Sequence, residues 1–240
     1  MGATPPTDRK RRARHVLVAG AGNIGSSLIP HLARLPGIGE VTIIDRDGYE
    51  PGNLGQADIT PRDVGQAKAA VQARRLRRLD PSLRVRAVRA DLHELPLGMF
   101  RADLILAALD SKEARRVVNE AAWRLRVPYV DSGINAQDGL RMARVTVYVP
   151  GPDAPCLECA WSDADYYGLE QPRPCLKGTP QGMPTNAPAS LGALAAALQA
   201  LEALKLLEGD TAHALCGRQM LVDARNHTSM VSALRRNAKC

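Results

Sequence analysis

A glycine turn set between an apolar strand and a helix constrains the fold of this chain more than any other feature. Residues 15–20 read as a buried strand, Gly20-Ala21-Gly22-Asn23-Ile24-Gly25 as a tight turn, and 24–35 as the helix that follows, ended by Pro36-Gly37. A second strand at 40–45 carries Asp45 at its tip, about twenty residues beyond the turn, the spacing of a dinucleotide-binding fingerprint. Backbone N–H groups of such a turn approach a phosphate at the positive end of the helix, and the acid accepts a ribose hydroxyl. The pattern points to a nucleotide and does not separate NAD from ATP.

The rest of the chain continues the alternation. A polar stretch, 46–62, with Pro51-Gly52 and Pro61, is longer than an ordinary strand-to-helix connection, and loops of that length are usually functional. A helix follows over 64–79 with Asp63 as its N-cap, then a strand over 84–90. The stretch 103–109, unbroken apolar residues between Asp103 and Asp110, reads as a central parallel strand. After it come a helix over 112–126 and a strand over 127–131, stopped by Ser132-Gly133. This predicts an α/β fold with a Rossmann-like, doubly wound, mainly parallel sheet. Residues 141–149 form a longer alternating strand, 151–188 a proline-rich crossover loop, and 189–208 an alanine- and leucine-rich helix stopped by Gly209. Strands at 219–224 and 228–234 extend the sheet as a C-terminal antiparallel hairpin. Residues 1–14 carry Pro5, Pro6 and a basic cluster without apolar periodicity, so they read as a flexible basic arm before a domain at 15–240.

At 240 residues the chain is long enough to bury the core of such a domain. No apolar stretch approaches the ~20 residues that span a bilayer, no membrane partner is expected, and 1–14 lacks the apolar segment of a secretory signal, so the cytoplasm is the expected location. Five cysteines, an odd number with two in a CxxC, suit metal ligands or a nucleophile in a reducing compartment better than a disulfide framework. The net charge of +7 comes largely from Arg9, Lys10, Arg11, Arg12 and Arg14, and from Arg74, Arg75, Arg77 and Arg78. Aromatic residues make up 3% of the chain, too few to interleave with these cations, so the runs read as solvated faces and no nucleic acid partner is expected.

Asp45 and Asp47 after the second strand, Asn53 in the long loop, Lys68 on the next helix and Asp110 after the buried strand converge on the carboxyl ends of the strands, where ligands bind in such sheets. Lys68 can neutralise phosphate charge, and Asp110 can hold Mg2+, which prefers carboxylate and phosphate oxygens. Taken singly, Lys68 also fits a solvated helix face and Asp110 a helix cap. Cys156 and Cys159, flanking two residues after a proline-rich turn, suit a zinc knuckle, with a redox CxxC as the alternative. The five histidines, His15, His31, His93, His213 and His227, show no ligand spacing.

These residues resemble the ThiF/MoeB/HesA family, the adenylating fold shared with ubiquitin-activating enzymes, from about residue 15 to residue 240. The matching positions are Gly20, Gly22 and Gly25, Asp45-Arg46-Asp47, Asn53-Leu54, Gly65-Gln66-Ala67-Lys68, Asp110-Ser111 with Arg115, Cys156 and Cys159, and Leu198-Gln199 with the helix around them. The resemblance implies ATP and Mg2+ bound through Gly20, Gly22, Gly25, Asp45, Asp47, Asn53, Gln56, Lys68 and Asp110. It implies adenylation of the C-terminal glycine carboxylate of a small ubiquitin-like protein, with Lys68 on the phosphates, Asp110 on the metal and Asp45 on the ribose, in a homodimer. One departure stands out. The family writes asparagine, leucine, any residue, arginine, glutamine, whereas this chain reads Asn53-Leu54-Gly55-Gln56 and lacks the arginine. Arg62, or the 11–14 arm of a second protomer, is a candidate for its phosphate contact.

The resemblance also assigns structural zinc (Zn2+) to Cys156 and Cys159 with a later cysteine pair. Cys240 takes the first place of that pair, with Cys216 or His227 as candidates to complete the set. Arg173-Pro174-Cys175-Leu176-Lys177-Gly178-Thr179-Pro180 is similar to the pattern around the thioester cysteine of SUMO-activating enzymes. That implies Cys175 as a nucleophile that takes the acyl group from the adenylate, with Arg173 and Lys177 favouring its thiolate. ThiF-type sulfur transfer places a persulfide-forming cysteine in a similar region. The expectation is an ATP-dependent activator of a ubiquitin-like protein, acting through an adenylate and then a thioester, with a conjugating enzyme downstream. A sulfur-carrier adenylyltransferase of thiamine or molybdopterin type is the second version. A non-catalytic nucleotide-binding scaffold is the alternative of another class, and an NAD-dependent oxidoreductase the third.

Overall fold

Val16 and Val18 project from one face of the first strand and Leu17 and Ala19 from the other, and all four are fully buried. A strand apolar on both faces belongs in the middle of a sheet covered on both sides. The computed structural model describes residues 13–170, 187–238 and 240, and places this strand so.

The elements run β1 (Arg14–Ala19), α1 (Asn23–Leu32), β2 (Ile38–Ile44), α2 (Lys68–Leu79), β3 (Arg84–Val88), β4 (Leu104–Ala107), α3 (Lys112–Leu125), β5 (Tyr129–Asn135), β6 (Met142–Tyr148), α4 (Asp163–Glu170), α5 (Ala189–Glu208), β7 (Arg218–Asp223) and β8 (Thr228–Ala233). They build one sheet in the order β3-β2-β1-β4-β5-β6-β7-β8, parallel from β3 through β5 and antiparallel from β5 to β8. Helices α1, α2 and α5 cover the face that carries Val16, Val18, Val41 and Ile43. Helix α3 and the short turns Leu92–Glu94 and Leu97–Phe100 cover the face of Leu17, Ala19, Ile105 and Ala107. The chain therefore leaves β1 toward one face and β4 toward the other. Between them the sheet opens a crevice at its carboxyl edge, the usual ligand position in doubly wound sheets.

The expected mainly parallel sheet with C-terminal antiparallel strands is the fold found, with four local corrections. Helix α2 begins at Lys68, not at 64. Tyr49 donates its N–H to the Gln66 carbonyl and accepts the Gly65 N–H on its own carbonyl, at 2.9 and 2.8 Å, so 65–67 is held out of the helix, against the long loop. Asp63 is accordingly no cap of α2; it closes the turn Pro61–Asp63 by accepting the N–H and hydroxyl of Thr60. Ser132-Gly133 does not stop β5, because pairing with β6 carries the strand on to Asn135. Within the stretch read as irregular, 163–170 is the helix α4, preceded by Ser162, whose N–H and hydroxyl both donate to Asp165.

The fourth correction concerns apolar length. Helix α5, at 20 residues, is long and apolar enough by length and composition to cross a bilayer. Here Leu191, Ala195, Ala196, Ala203 and Leu207 pack into the core beneath β5 and β6 and against α1. Its one deeply buried amide, Gln199, donates from Nε2 to the carbonyls of Ala107 and Val130 and accepts from Ser132 Oγ, at 3.0, 2.8 and 2.7 Å. That side chain satisfies backbone groups where β4 ends and β5 continues with β6 as its paired neighbour.

Candidate nucleotide site and cysteine cluster

The glycine turn is fixed by contacts that no larger residue permits. Gly20 has φ +95°, and a Cβ there would lie 2.3 Å from the Ala108 carbonyl oxygen; at Gly25 it would lie 2.1 Å from the Gly20 oxygen. The turn thus packs directly on the chain leaving β4 and delivers it to α1, whose N-cap, Gly22, supplies no side-chain hydrogen bond to the first turn. The first N–H groups of α1 are left facing the crevice, and no acidic side chain stands in that turn.

Asp45 closes the other side of the turn. Its carboxylate accepts the N–H of Ala21 at 2.7 Å and of Asp47 at 2.8 Å. Burial pushes this carboxyl up from its ordinary value, against the opposing pull of Lys68 and the two N–H groups. Lys68 opens α2 with its side chain only 14% exposed and its ammonium 3.3 Å from Asp47 Oδ2. The ammonium also sits 5.9 Å from the ring centroid of Tyr49.

Tyr49 was not singled out in the sequence, although it lies in the long loop of a chain poor in aromatic residues. It is 1% exposed, donates its hydroxyl to the Ala21 carbonyl at 2.6 Å and accepts from Gln72 Nε2 at 2.8 Å. Burial pushes its phenol well above the ordinary value, so it stays a neutral donor. The loop is pinned again where Asp58 donates its N–H to Ser26 Oγ of α1 and accepts Arg75 on its carboxylate. Asn53 serves within the loop: its Oδ1 accepts the Glu50 N–H at 2.9 Å and its carbonyl the Gln56 N–H at 3.0 Å, closing the turn Pro51–Gly55.

Asp110 follows β4 as an exposed carboxylate with no hydrogen bond or ion pair among the described residues. It does not cap α3; Ser111 does, accepting the Ala114 N–H at 3.1 Å. Its charge is felt by Arg46, whose guanidinium lies 2.5 Å from Asp91 and 3.7 Å from Asp47. Asp91 joins the set from the tertiary fold, since the chain brings it to Arg46 from the tip of the neighbouring strand. Gly20, Gly22, Gly25, Asp45, Asp47, Lys68 and Asp110 therefore share the carboxyl edge of the sheet. Of the residues proposed to replace the missing arginine, Arg62 is exposed on the turn Pro61–Asp63, and Arg14 lies at the opposite end of β1, 3.6 Å from Asp103. Residues 9–12 and Cys175 lie outside the described residues.

A second cluster forms away from the crevice. The sulfurs of Cys156, Cys159 and Cys240 lie within 4.8 Å of one another, Cys156 to Cys240 at 3.4 Å and Cys156 to Cys159 at 3.7 Å. Tetrahedral zinc with sulfur ligands at about 2.3 Å requires sulfurs about 3.8 Å apart, so the donor set fits that ion. Burial and the neighbouring Cys156 push the Cys240 thiol up to about 12. Neither Cys216, whose thiol is raised by burial and by Glu202, nor His227 belongs to the cluster among the described residues.

The profile of the ThiF family matches residues 4–240. The chain is 34% identical to the sulfur carrier protein adenylyltransferase of Thermus thermophilus, over 97% of this chain and 83% of the relative. It is 32% identical to the SAMP-activating enzyme E1 of Haloferax volcanii, over 94% and 78%. Among solved structures, MccB of E. coli superposes with a TM-score of 0.75 at 24% identity, covering 96% of this chain and 67% of that one, a likeness of fold. With the family profile matched across nearly its whole length, and the glycine turn, Asp45, Lys68 and Asp110 gathered at one sheet edge, this chain belongs to the ThiF family.

Proposed function

We propose that the protein is an ATP-dependent adenylyltransferase that activates the C-terminal glycine carboxylate of a ubiquitin-like or sulfur-carrier protein. The observation that carries this reading is the pairing of a sheltered lysine, Lys68, with Asp47 beside a glycine turn, at the same sheet edge as Asp110, a carboxylate without a hydrogen bond or ion pair among the described residues. A lysine and a free carboxylate suit a metal-bound triphosphate, and a nicotinamide dinucleotide has no need of them. The names borne by the Thermus and Haloferax relatives support the same chemistry, and MccB is a family fold that has been crystallised with ATP.

In this reading the triphosphate lies over Gly20, Gly22 and Gly25 at the N-terminus of α1, and Asp45 receives the ribose once the Ala21 and Asp47 N–H groups share it. The acceptor carboxylate attacks the α-phosphorus, an oxygen–phosphorus bond forms, and the bond to the departing pyrophosphate breaks. Lys68 neutralises charge on the phosphates, and Asp110 would hold Mg2+, which supplies further neutralisation when bound. The rest of the rate comes from holding the two substrates in line. Asn53, whose Oδ1 holds the turn Pro51–Gly55, would reach the nucleotide through its amide nitrogen, with Gln56 beside it in the long loop. Cys156, Cys159 and Cys240 would hold zinc as a structural clip. The cytoplasm, where free thiols such as these persist, is the proposed location.

The leading version passes the acyl group from the adenylate to Cys175 as a thioester, with AMP as leaving group, and then to a conjugating enzyme. The pattern 173–180 supports it. The second version delivers the adenylate to sulfur transfer and is supported by the Thermus relative's name. A homodimer would let the arm of one protomer serve the site of the other, in keeping with Arg14 lying at the far end of β1 from its own crevice. The test is ATP/pyrophosphate exchange with ubiquitin-like proteins ending in Gly-Gly. Carrier-dependent exchange that disappears in Lys68→Ala supports adenylation, and carrier-independent ATP binding without exchange supports the scaffold reading. A DTT-sensitive conjugate that persists in Cys175→Ala overturns the thioester at that residue.

A further inference from the structure

The chain leaving β4 is held at each residue around Asp110. Ala108 donates its N–H to Ala19 at 2.8 Å, and its carbonyl sits beneath Gly20. Ser111 caps α3. The carbonyl of Leu109, immediately before Asp110, accepts from Arg115 Nη2, the same nitrogen that donates to the Ser132 carbonyl at 2.9 Å. The other arm of that guanidinium, Nη1, is gripped by Asp131 Oδ1 on β5. Asp131 is 1% exposed, and its second oxygen accepts Arg144 Nη2 from β6 at 2.6 Å. Gly133 makes room for the pair, since a Cβ there would lie 3.3 Å from Arg115 Nη2 and 3.5 Å from Arg144 Nη2.

A buried carboxylate bound by two guanidiniums is a poor device for stability alone, because desolvation offsets most of the attraction. It does fix the plane of a guanidinium, and a planar fork with donors in set directions fixes the acceptors it meets. Here one of those acceptors is the peptide that leads into Asp110. We propose that Arg115, oriented by Asp131, is a positioning residue that aims the Asp110 carboxylate at the metal of the nucleotide complex. The proposal rests on the reading of Asp110 as the metal-holding carboxylate. Arg144 shares Asp131 but touches no atom of the 108–111 segment among the described residues, so it serves as the internal control.

The probe is Mn2+ in the presence of a non-hydrolysable ATP analogue, followed by electron paramagnetic resonance on the full chain, with urea melts alongside. Arg115→Ala is expected to weaken Mn2+ binding about tenfold or more, the usual cost of losing an outer partner of a metal ligand, while affinity for the analogue without metal stays within twofold. Arg115→Lys keeps the charge against Asp131 but cannot span both acceptors, and is expected to fall between the two. Arg144→Ala is expected to bind Mn2+ as the parent does. Parent-like Mn2+ binding by Arg115→Ala or Arg115→Lys, with loss in Asp110→Ala, overturns the positioning role and leaves Asp110 standing. Parent-like binding in Asp110→Ala overturns both. An equal loss in Arg144→Ala and Arg115→Ala means general loosening of the triad and also overturns the proposal.

Discussion

The hydroxyl of Tyr49 donates to the carbonyl of Ala21 at 2.6 Å, tying the long loop after β2 to the glycine turn, while the same ring lies 5.9 Å from the Lys68 ammonium. One buried side chain thus links the long loop to the glycine turn and lies beside Lys68, and the turn and this lysine are the two features proposed to meet the phosphates. Tyr49→Phe keeps the ring and removes the bond, leaving Gln72 Nε2 without its acceptor as well. The expected loss is about 1–2 kcal/mol of stability in urea unfolding, with KM for ATP rising in pyrophosphate exchange more than kcat falls. A variant with parent-like KM would remove Tyr49 from the site.

Lys68→Ala deletes a cation whose partner, Asp47, is about half exposed, so the fold is expected to survive with little change in Tm. Carrier-dependent ATP/pyrophosphate exchange is expected to fall by about two to three orders of magnitude, the cost of removing one preorganised charge contact from a transition state. Exchange at the parent rate would place the phosphate contact elsewhere.

Asp91 carries a pH prediction. The His93 N–H and Arg46 hold its carboxyl below the ordinary 3.8, with burial opposing. A carboxyl lowered in the folded state contributes stability that is present above the unfolded value and disappears as pH falls through the folded one. The stability difference between the parent and Asp91→Asn is therefore expected to be constant from pH 7 to about 5 and to shrink below pH 4. Urea melts across that range measure it; a difference that grows on acidification would contradict the assigned shift.

The cysteine cluster predicts a bound metal. Elemental analysis of protein purified without chelator is expected to find zinc near one per chain, and Cys159→Ser to lose it. Cys156→Ser should do the same, since its sulfur lies 3.4 and 3.7 Å from the other two. Removal of zinc from the parent by chelation should lower Tm, while Cys216→Ser, outside the cluster, should keep both metal and Tm. Zinc retained in Cys159→Ser would exclude the three-thiol site.

The order of strands and helices, the glycine turn and the acids at the strand tips were legible in the chain because each depends on neighbours in sequence. An apolar run such as Leu104–Ala107 must be buried on both faces, and Gly20 and Gly25 hold positions where a Cβ would strike backbone. The start of α2, the role of Asp63 and the extension of β5 were misread because distant hydrogen bonds decided them, from Tyr49 to Gly65 and Gln66, and from β6 to β5. Tyr49 and Asp131 gave no local signal for the same reason: each acts on partners many residues away. Sequence determined which residues could stand at the carboxyl edge of the sheet, since side-chain chemistry and backbone preference are local properties. Only the tertiary structure decided which carboxylates at that edge are paired and which have no partner among the described residues, because charge pairing and burial depend on distances through space that the order of residues does not contain.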